Sequence, residues 1–289
     1  MSWALVVGRY AEDAARGAIE VLTAADGAPR VITAADRGEL VTRARDAVAD
    51  GHPLMVVGGD GTINAVVEGA LGAGVPTPTL AVLPAGTGSD FARMFALPVD
   101  PATAVTRALH GQDYAVDVGV VEGPWGRRVV VNEAEAGIGG ATTRLAERLP
   151  RSWGPRKYEL AFWGAVGGFT PGPARLVTDR REFELERGAV VVAANGEYFG
   201  GGMRIAPKAS VVDGKWDLIV MEGRRAKAVS LFPKMKHGLH LSDRAVRRIV
   251  TASFRLETER PWPVEIDGDH VGDTPLEGWI EPGAFLLRV

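Results

Sequence analysis

VVGGDGTINAVV, residues 56–67, places a glycine-rich turn between an apolar β-branched run and a stretch with helical periodicity. The run 54–58 has the length and composition of a buried strand. After the turn, apolar side chains recur at the i, i+3, i+4, i+7 and i+8 positions of a helix, namely Ile63, Val66, Val67, Ala70 and Leu71. The stretch therefore predicts a strand, a close turn, and a helix that Thr62 caps and that Gly72 or Gly74 ends.

A turn of this kind suits phosphate. Glycines allow backbone N–H groups to approach an anion, and a helix N-terminus adds positive potential. The same residues also suit a plain strand-to-helix connection in which Asp60 is a capping or turn residue. The pattern recurs in LPAGTGSDFARMF (83–95), where Ser89 or Asp90 is the predicted cap. Two such loops after consecutive parallel strands can converge on one crevice at the carboxyl edge of a sheet.

The chain divides into two regions that differ in their pattern of predicted strands and helices. Short apolar runs alternate with helical patterns in the first region, as in parallel α/β units, with predicted strands at 4–8, 28–33, 54–58 and 79–84. The second region is β-rich and mainly antiparallel, with helical segments predicted at 141–169 and 231–240. We predict domains at 1–115 and 116–280, and expect 281–289 to return to the first.

Composition excludes several classes of protein. The net charge of −3 and the pI near 6.0 provide no bulk attraction to nucleic acid. The chain has no cysteine, which excludes disulfides, thiol nucleophiles and thiolate zinc sites. Charged residues come too early for a signal peptide, and no apolar run approaches about 18 residues. We expect a cytoplasmic protein.

Four motifs follow one another along the chain in a recognisable order: GGDGT (58–62), PAGTGSDFAR (84–93), VVVAANGEYFGGGMRIAPKASVVDGKWDL (190–218) and VEIDGDHVGDTP (264–275). Together they resemble the diacylglycerol kinase catalytic domain family, which includes bacterial lipid kinases and the sphingosine kinases. The resemblance implies a three-layer α/β nucleotide-binding domain followed by an antiparallel β-sandwich-like domain. It also implies an ATP-dependent, Mg2+-assisted transfer of the γ-phosphate to a lipid hydroxyl, such as that of diacylglycerol, in the cleft between the domains.

The resemblance assigns roles to particular residues. Those expected in the nucleotide site are Thr33, Gly58, Gly59, Asp60, Gly61, Thr62, Asn64, Gly86, Thr87, Gly88 and Ser89. Asp267 and Asp269 match the motif that supplies the general base and helps to organise magnesium, with Asp60 as the further catalytic candidate. Asp213 matches a position that binds a structural magnesium. Taken alone, Asp213-Gly214 and Asp267-Gly268 are also ordinary turn sequences.

The chain departs from the family pattern at four places. Arg9 stands where the family has an Asn-Pro-x-Ser-Gly loop, Ala65 replaces a glutamate, Ser89 replaces an asparagine, and Asp269 replaces a glutamate. These changes leave open a nucleotide-binding regulator that has lost catalysis. GGDGT and Asn132-Glu133 also resemble motifs of the NAD kinases, which is the other alternative.

The acceptor is not readable from the sequence, and the oligomeric state is open, with a homodimer among the expectations. RSWGPRKYELAFWGAVGGF (151–169) combines cations with aromatic residues. It suits a lipid-facing element, with peripheral contact at the inner face of the membrane, and it equally suits an amphipathic core helix beside a charged loop.

Overall fold

The computed structural model describes residues 2–86, 88–154 and 156–289. The chain forms two compact units. Unit 1 comprises Met1–Val118 and Glu281–Val289, and unit 2 comprises Gly119–Ile280. Among the described residues, no helix combines the length and apolarity needed to cross a membrane.

Unit 1 is built from parallel strands that alternate with helices. In chain order its elements are β1 (Ala4–Val7), α1 (Glu12–Asp26), β2 (Arg30–Ile32), α2 (Arg37–Ala49), β3 (Leu54–Gly58), α3 (Asp60–Leu71), β4 (Thr79–Pro84), α4 (Asp90–Met94), α5 (Pro101–His110) and β5 (Asp113–Gly123). The first strands lie side by side in the order β4-β3-β1-β2, all parallel. Strands β1 and β3 are buried throughout, which explains their uninterrupted apolar sequences. The predicted strands of this region are confirmed.

Unit 2 is mainly antiparallel. Its elements are β6 (Gly126–Val130), β7 (Glu133–Gly137), α6 (Ile138–Ala146), α7 (Arg156–Gly168), β8 (Gly172–Thr178), β9 (Glu182–Ala194), β10 (Trp216–Glu222), α8 (Arg225–Met235), β11 (Val246–Thr251), β12 (Ser253–Thr258), β13 (Pro263–Ile266), β14 (Asp269–Asp273) and β15 (Leu276–Arg288). The strand order is β14-β13-β7-β9-β8-β12-β15, and β10 pairs with β9 and β11. Strand β15 continues into unit 1, where its last residues pair in parallel with β4.

Strand β9 separates two apolar cores of unit 2. Val191 points into the core that surrounds Trp216, and Val192 points into the core that lies under α6 and α7. Successive side chains of a strand face opposite ways, so burial on both faces produces the continuous apolar run of this segment. The predicted fold class, an α/β domain followed by an antiparallel sandwich-like domain, is confirmed.

Local boundaries differ from the sequence predictions in two places. Helix α3 begins at Asp60 with Gly59 in the N-cap position, so Thr62 lies inside the first turn and the prediction that it caps the helix is wrong. The segment 231–240 is not one helix: α8 ends at Met235, and a short 3-10 helix follows at Leu239–Ser242. Gly238 separates the two because its φ of 70° lies in the left-handed region.

We predict opposite effects for two helical glycines. A Cβ on Gly69 of α3 would meet the carbonyl oxygen of Val41 and would lie 2.9 Å from the Cβ of Ala44, whereas a Cβ on Gly167 of α7 would meet no described atom within 4 Å. Gly69→Ala should therefore lower the free energy of unfolding by roughly 1–3 kcal/mol. Gly167→Ala should raise it by up to about 1 kcal/mol, because alanine favours a helix. Urea unfolding of both variants checks this, and stabilisation by Gly69→Ala would contradict the close helix contact.

Candidate functional site

Several predicted residues of unit 1 follow the carboxyl ends of its parallel strands. Val7 of β1 is in register with Val57 of β3, and Gly58 is in register with Pro84 of β4. The loops after these strands therefore begin at the same edge of the sheet. Arg9 and Thr33 follow β1 and β2 at this edge, and both are exposed. Ligands of open α/β sheets bind at this edge.

The two glycine loops touch through their backbones. A Cβ on Gly86 would lie 2.5 Å from the Cα of Gly59, and a Cβ on Gly59 would lie 3.1 Å from the Cα of Gly86. A Cβ on Gly58 or on Gly8 would lie 2.7 Å from Oγ1 of Thr62. These glycines are required by close approach, and Thr62 packs against the strand ends instead of capping α3.

Asp60 connects the two loops. Its Oδ2 accepts a hydrogen bond from the backbone N–H of Asp90, and its Oδ1 accepts one from the N–H of Phe91, each at 2.9 Å. These N–H groups open α4, whose own N-cap residue, Ser89, has a φ of 48° and makes no side-chain cap bond. Ser89 therefore holds the predicted N-cap position, but the hydrogen bonds to the first N–H groups of the helix come from Asp60 of the other loop.

Gly61 is the loop glycine that faces open space. Within 4 Å of a Cβ built on it there is no described atom. Among the described residues, none accepts a hydrogen bond from its N–H, whereas the N–H groups of Thr62 and Ile63 both donate to the carbonyl of Gly59. A free N–H at a helix N-terminus is a suitable donor to an anion. Thr87, expected in the same site, lies outside the described residues, and Gly88 directly precedes Ser89.

Two residues of α3 face inward. Asn64 is 4% exposed, and its Oδ1 accepts a hydrogen bond from Arg37 at 2.5 Å. Arg37 also donates to Glu68 at 2.7 Å, so this group joins α2 to α3. Ala65 is fully buried. The departure from the family at position 65 thus lies in the core of unit 1, away from the exposed side of the loop.

In unit 2, Asp267 occupies a tight turn between β13 and β14. Its φ is 47°, and its carboxylate accepts hydrogen bonds from the N–H groups of Val131, Asn132 and Glu133 at 2.8, 2.8 and 3.0 Å. Asp267 is half-buried, whereas Asp269 is exposed. The turn that the sequence suggests is present, and the three N–H groups hold the Asp267 carboxylate in one orientation.

Three glutamates beside this turn form a buried cluster that the sequence prediction missed. Glu133 and Glu135 share one face of β7, and Glu265 of β13 is in register with Glu135. One carboxylate oxygen of each lies within 4.8 Å of those of the other two. All three residues are at most 4% exposed. The carboxylates come together because β7 and β13 are adjacent strands. The alternation E-A-E in β7 is the sequence signal that could have indicated a strand with one polar face.

Burial shifts the protonation of this cluster. It raises the pKa of Glu135 to about 8, with a further contribution from Glu265. It also raises the pKa of Glu265 to about 7, although contact with Glu133 and the N–H of Gly268 act in the opposite direction. The pKa of Glu133 is raised well above its usual range by burial and then by Glu265, Glu135 and Asp267. Ionisation of all three glutamates without a compensating charge is therefore unfavourable.

Helix α7 lies close to these acids and also carries exposed apolar side chains. Burial raises the pKa of Tyr158, and the charges of Asp269 and Glu265 raise it further. Ala165 packs into a core of unit 2, while Leu160 and Trp163 are 53% and 52% exposed. Helix α7 is therefore amphipathic in the sense that one side packs inside unit 2 and the other presents apolar surface; the lipid-facing role of 151–169 stays a prediction.

Asp213 lies in an exposed turn before β10. Its Oδ1 accepts a hydrogen bond from the N–H of Lys215 at 3.1 Å, and Gly214 has a φ of 69°. Its carboxylate helps to raise the pKa of the buried Asp217, where burial is the main cause. The turn leaves the Asp213 carboxylate accessible to solvent, and the magnesium expected there stays a prediction.

Comparison with known proteins identifies the family. Residues 8–121 match the model of the diacylglycerol kinase catalytic domain. Residues 132–289 match that of the YegS C-terminal NAD kinase beta sandwich-like domain. The chain belongs to the diacylglycerol kinase family. Its four motifs are therefore family motifs, and the resemblance seen in the sequence is confirmed.

Individual members of the family show the extent of the similarity. A diacylglycerol kinase of Mycobacterium tuberculosis is 30% identical over 246 residues, which is 83% of this chain and 78% of that protein. A Pseudomonas fluorescens protein named "Probable lipid kinase YegS-like" is 26% identical over 276 residues, covering 95% and 90% of the two chains. The crystal structure of a diacylglycerol kinase from Bacillus anthracis superposes with a TM-score of 0.74 at 20% identity, covering 99% and 96%. This structure supports the fold of the family member.

We predict that Asp60→Asn destabilises unit 1 of this kinase-family chain. Asparagine retains one oxygen acceptor but places an amide group where a carboxylate oxygen now accepts an N–H. The buried donor left without a partner should lower the free energy of unfolding by roughly 1–3 kcal/mol. Thermal and urea unfolding check this. Unchanged stability combined with lost turnover would instead assign Asp60 to catalysis.

We also predict that stability falls with rising pH in chelator-treated protein. The unfolded state releases the proton of Glu135 near pH 4.5, whereas the folded state retains it to about pH 8. The stabilisation is therefore complete below about pH 4.5 and is lost as the pH rises through 8. At about 1.4 kcal/mol per pKa unit, this amounts to at most about 4 kcal/mol between pH 5 and 8. Urea unfolding at several pH values checks it, and Glu135→Gln should flatten the dependence. A wild-type profile that is already flat would contradict the prediction.

Proposed function

We propose that this chain is an ATP-dependent lipid kinase that transfers the γ-phosphate to a lipid hydroxyl such as that of diacylglycerol. The observation that carries the proposal is the pair of glycine loops at the carboxyl edge of unit 1. Asp60 joins the loops, and among the described residues none accepts a hydrogen bond from the N–H of Gly61 at the N-terminus of α3. Family membership, with relatives named diacylglycerol kinase, supports this activity.

The residues of unit 1 would hold the nucleotide phosphates. Phosphoryl transfer depends mainly on positioning and on neutralising the charge of the phosphoryl oxygens. Gly61 would donate its backbone N–H, and the α3 terminus would add positive potential. Arg9 follows β1 at the same sheet edge, is exposed, and would supply the positive charge. Thr33 follows β2 there and offers a hydroxyl.

The residues of unit 2 would prepare the acceptor. The Asp267 carboxylate is held by three backbone N–H groups, so its oxygens keep a fixed orientation in which they would accept a proton or bind a cation. Asp269 is exposed and adds a second carboxylate. Hard carboxylate oxygens are ligands that Mg2+ accepts, and bound Mg2+ would neutralise charge on the phosphates. Asp213 would hold a separate Mg2+ with a structural role.

Access to a lipid would use the exposed side of α7. Leu160 and Trp163 are more than half exposed there, and Arg156 and Lys157 precede them. Apolar side chains beside cations suit the headgroup region of an anionic membrane. Peripheral contact of this helix with the membrane is part of the proposal.

The NAD kinase alternative loses its particular support. Asn132 and Glu133, which suggested it, are 4% and 3% exposed, and Glu133 belongs to the buried carboxylate cluster. The pair is therefore accounted for by the interior of unit 2. The regulator alternative depends on Ala65, Ser89 and Asp269, and Ala65 lies in the core. An activity measurement separates the regulator from the kinase.

We expect the purified chain, supplied with Mg2+ and radiolabelled ATP, to label diacylglycerol in mixed micelles and to leave NAD unlabelled. Fractionated lipids from the source organism provide the wider acceptor panel. Labelled NAD would favour the alternative enzyme. Binding of ATP without labelling of any lipid would favour the regulator.

Two variants separate the roles of the units. Gly61→Val should weaken ATP binding at least about tenfold by blocking anion approach, with melting unchanged because its side chain enters open space. Asp269→Asn should lower turnover by about 100-fold with unchanged melting, since Asp269 is exposed. Asp269→Glu is the matched control and should retain activity. Normal turnover in Asp269→Asn would remove this carboxylate from the mechanism.

A further inference from the structure

We propose that Glu133, Glu135 and Glu265 bind one hard divalent cation inside unit 2, at a site separate from Asp213. The proposal does not depend on the kinase activity, because it concerns the stability of unit 2. Three carboxylates converge here from two adjacent strands, and each offers one oxygen within 4.8 Å of the others.

The spacing suits a shared cation. Oxygen ligands of Ca2+ lie about 2.3–2.6 Å from the ion, so two of them are separated by at most about 5 Å. Mg2+ binds at about 2.0–2.1 Å and needs only a small contraction of the same cluster. Carboxylates without sulfur or imidazole ligands select hard ions of this class.

An unpartnered oxygen supplies the second, independent observation. Oε2 of Glu133 is buried and has no hydrogen-bond partner among the described residues, and the side chain is only 3% exposed. A buried carboxylate oxygen without a partner is costly. Glu133 lies against Glu265 and Glu135, so its carboxyl group is one of the three that a shared cation would join.

The surrounding backbone is shaped to the carboxylates. Glu135 accepts a hydrogen bond from the N–H of Gly139 at 2.7 Å, and Glu265 accepts one from Gly268 at 2.9 Å. A Cβ on Gly139 would overlap the carboxyl group of Glu135, so a larger residue there would displace that carboxyl group. These bonds orient two of the glutamates and leave their other oxygens for a ligand.

The charge balance requires a partner. Within residues 2–86, 88–154 and 156–289, no lysine, arginine or histidine forms an ion pair with Glu133, Glu135 or Glu265. Like charges on directly opposed strand positions are destabilising. Either shared protons or a cation must neutralise the cluster, and the oriented oxygens and the unpartnered Oε2 favour the cation.

The test uses the full chain after removal of metal with EDTA, without nucleotide or lipid. Mn2+, Mg2+ and Ca2+ are titrated separately, with Tm and the number of Mn2+ ions bound, from electron paramagnetic resonance, as measurements. We expect Tm to rise by about 5 °C at a free cation concentration roughly 100 times the dissociation constant. Glu133→Gln preserves size and should remove one bound Mn2+ together with the part of the rise that this ion causes. Asp213→Ala is the matched comparison: it should remove the separate ion proposed for its own turn and retain the ion and the part of the rise that depend on Glu133.

A rise in Tm that persists unchanged in Glu133→Gln would overturn the proposal, as would one that disappears only in Asp213→Ala. Absence of any cation response in the wild type would show that protons alone neutralise the cluster and would also overturn it. Should Glu133→Gln fail to fold, Glu135→Gln serves in its place. Because neither ATP nor a lipid is present, these outcomes are independent of whether the chain is a kinase.

Discussion

The joining of the two glycine loops in unit 1 depends on the carboxylate of Asp60. Two glycine loops approach so closely that side chains on Gly59 and Gly86 would collide. Glycine has no side chain, so these residues cannot hold the loops together by apolar packing. Asp60 supplies the missing attraction by accepting the first two N–H groups of α4. One side chain therefore satisfies two orphan donors of a helix and also joins loops that are distant in sequence. Gly61 follows Asp60 directly, and a Cβ on it would meet no described atom within 4 Å.

The glycines of the GGDGT loop are consequently not equivalent. Gly58 and Gly59 are demanded by packing against Thr62 and Gly86, whereas Gly61 faces open space. Glycines in such a motif are usually explained by the close approach of a ligand to the backbone. Here two of them have a folding role, and the N–H of the third, Gly61, has no acceptor among the described residues. Asp60 also has a folding role: the motif suggests it as a catalytic candidate, and in the structure its carboxylate accepts two backbone hydrogen bonds.

In unit 2 several acidic side chains lie close together, so their negative charges must be compensated. Asp267 is secured by three N–H donors in the turn, while the neighbouring glutamates lie under α6 with few donors between them. Burial raises the pKa of Glu135 and of Glu265, so neutralisation must come from protons or from a metal ion. The exposed Asp269 escapes this constraint. A chain can in this way place accessible carboxylates and a neutralised buried cluster within a few residues of each other.

The sequence by itself determined the fold class, the strands of unit 1 and the family. Periodicity reports burial along a single element, and the four motifs are read directly from the order of residues. The tertiary structure alone decided which residues meet. Asp60 lies 30 positions from Asp90, and Asp267 lies 136 positions from Val131, so neither contact leaves a local pattern. The glutamate cluster likewise required β7 and β13 to pair in one register, because a shift by one residue would turn Glu265 to the other face of the sheet.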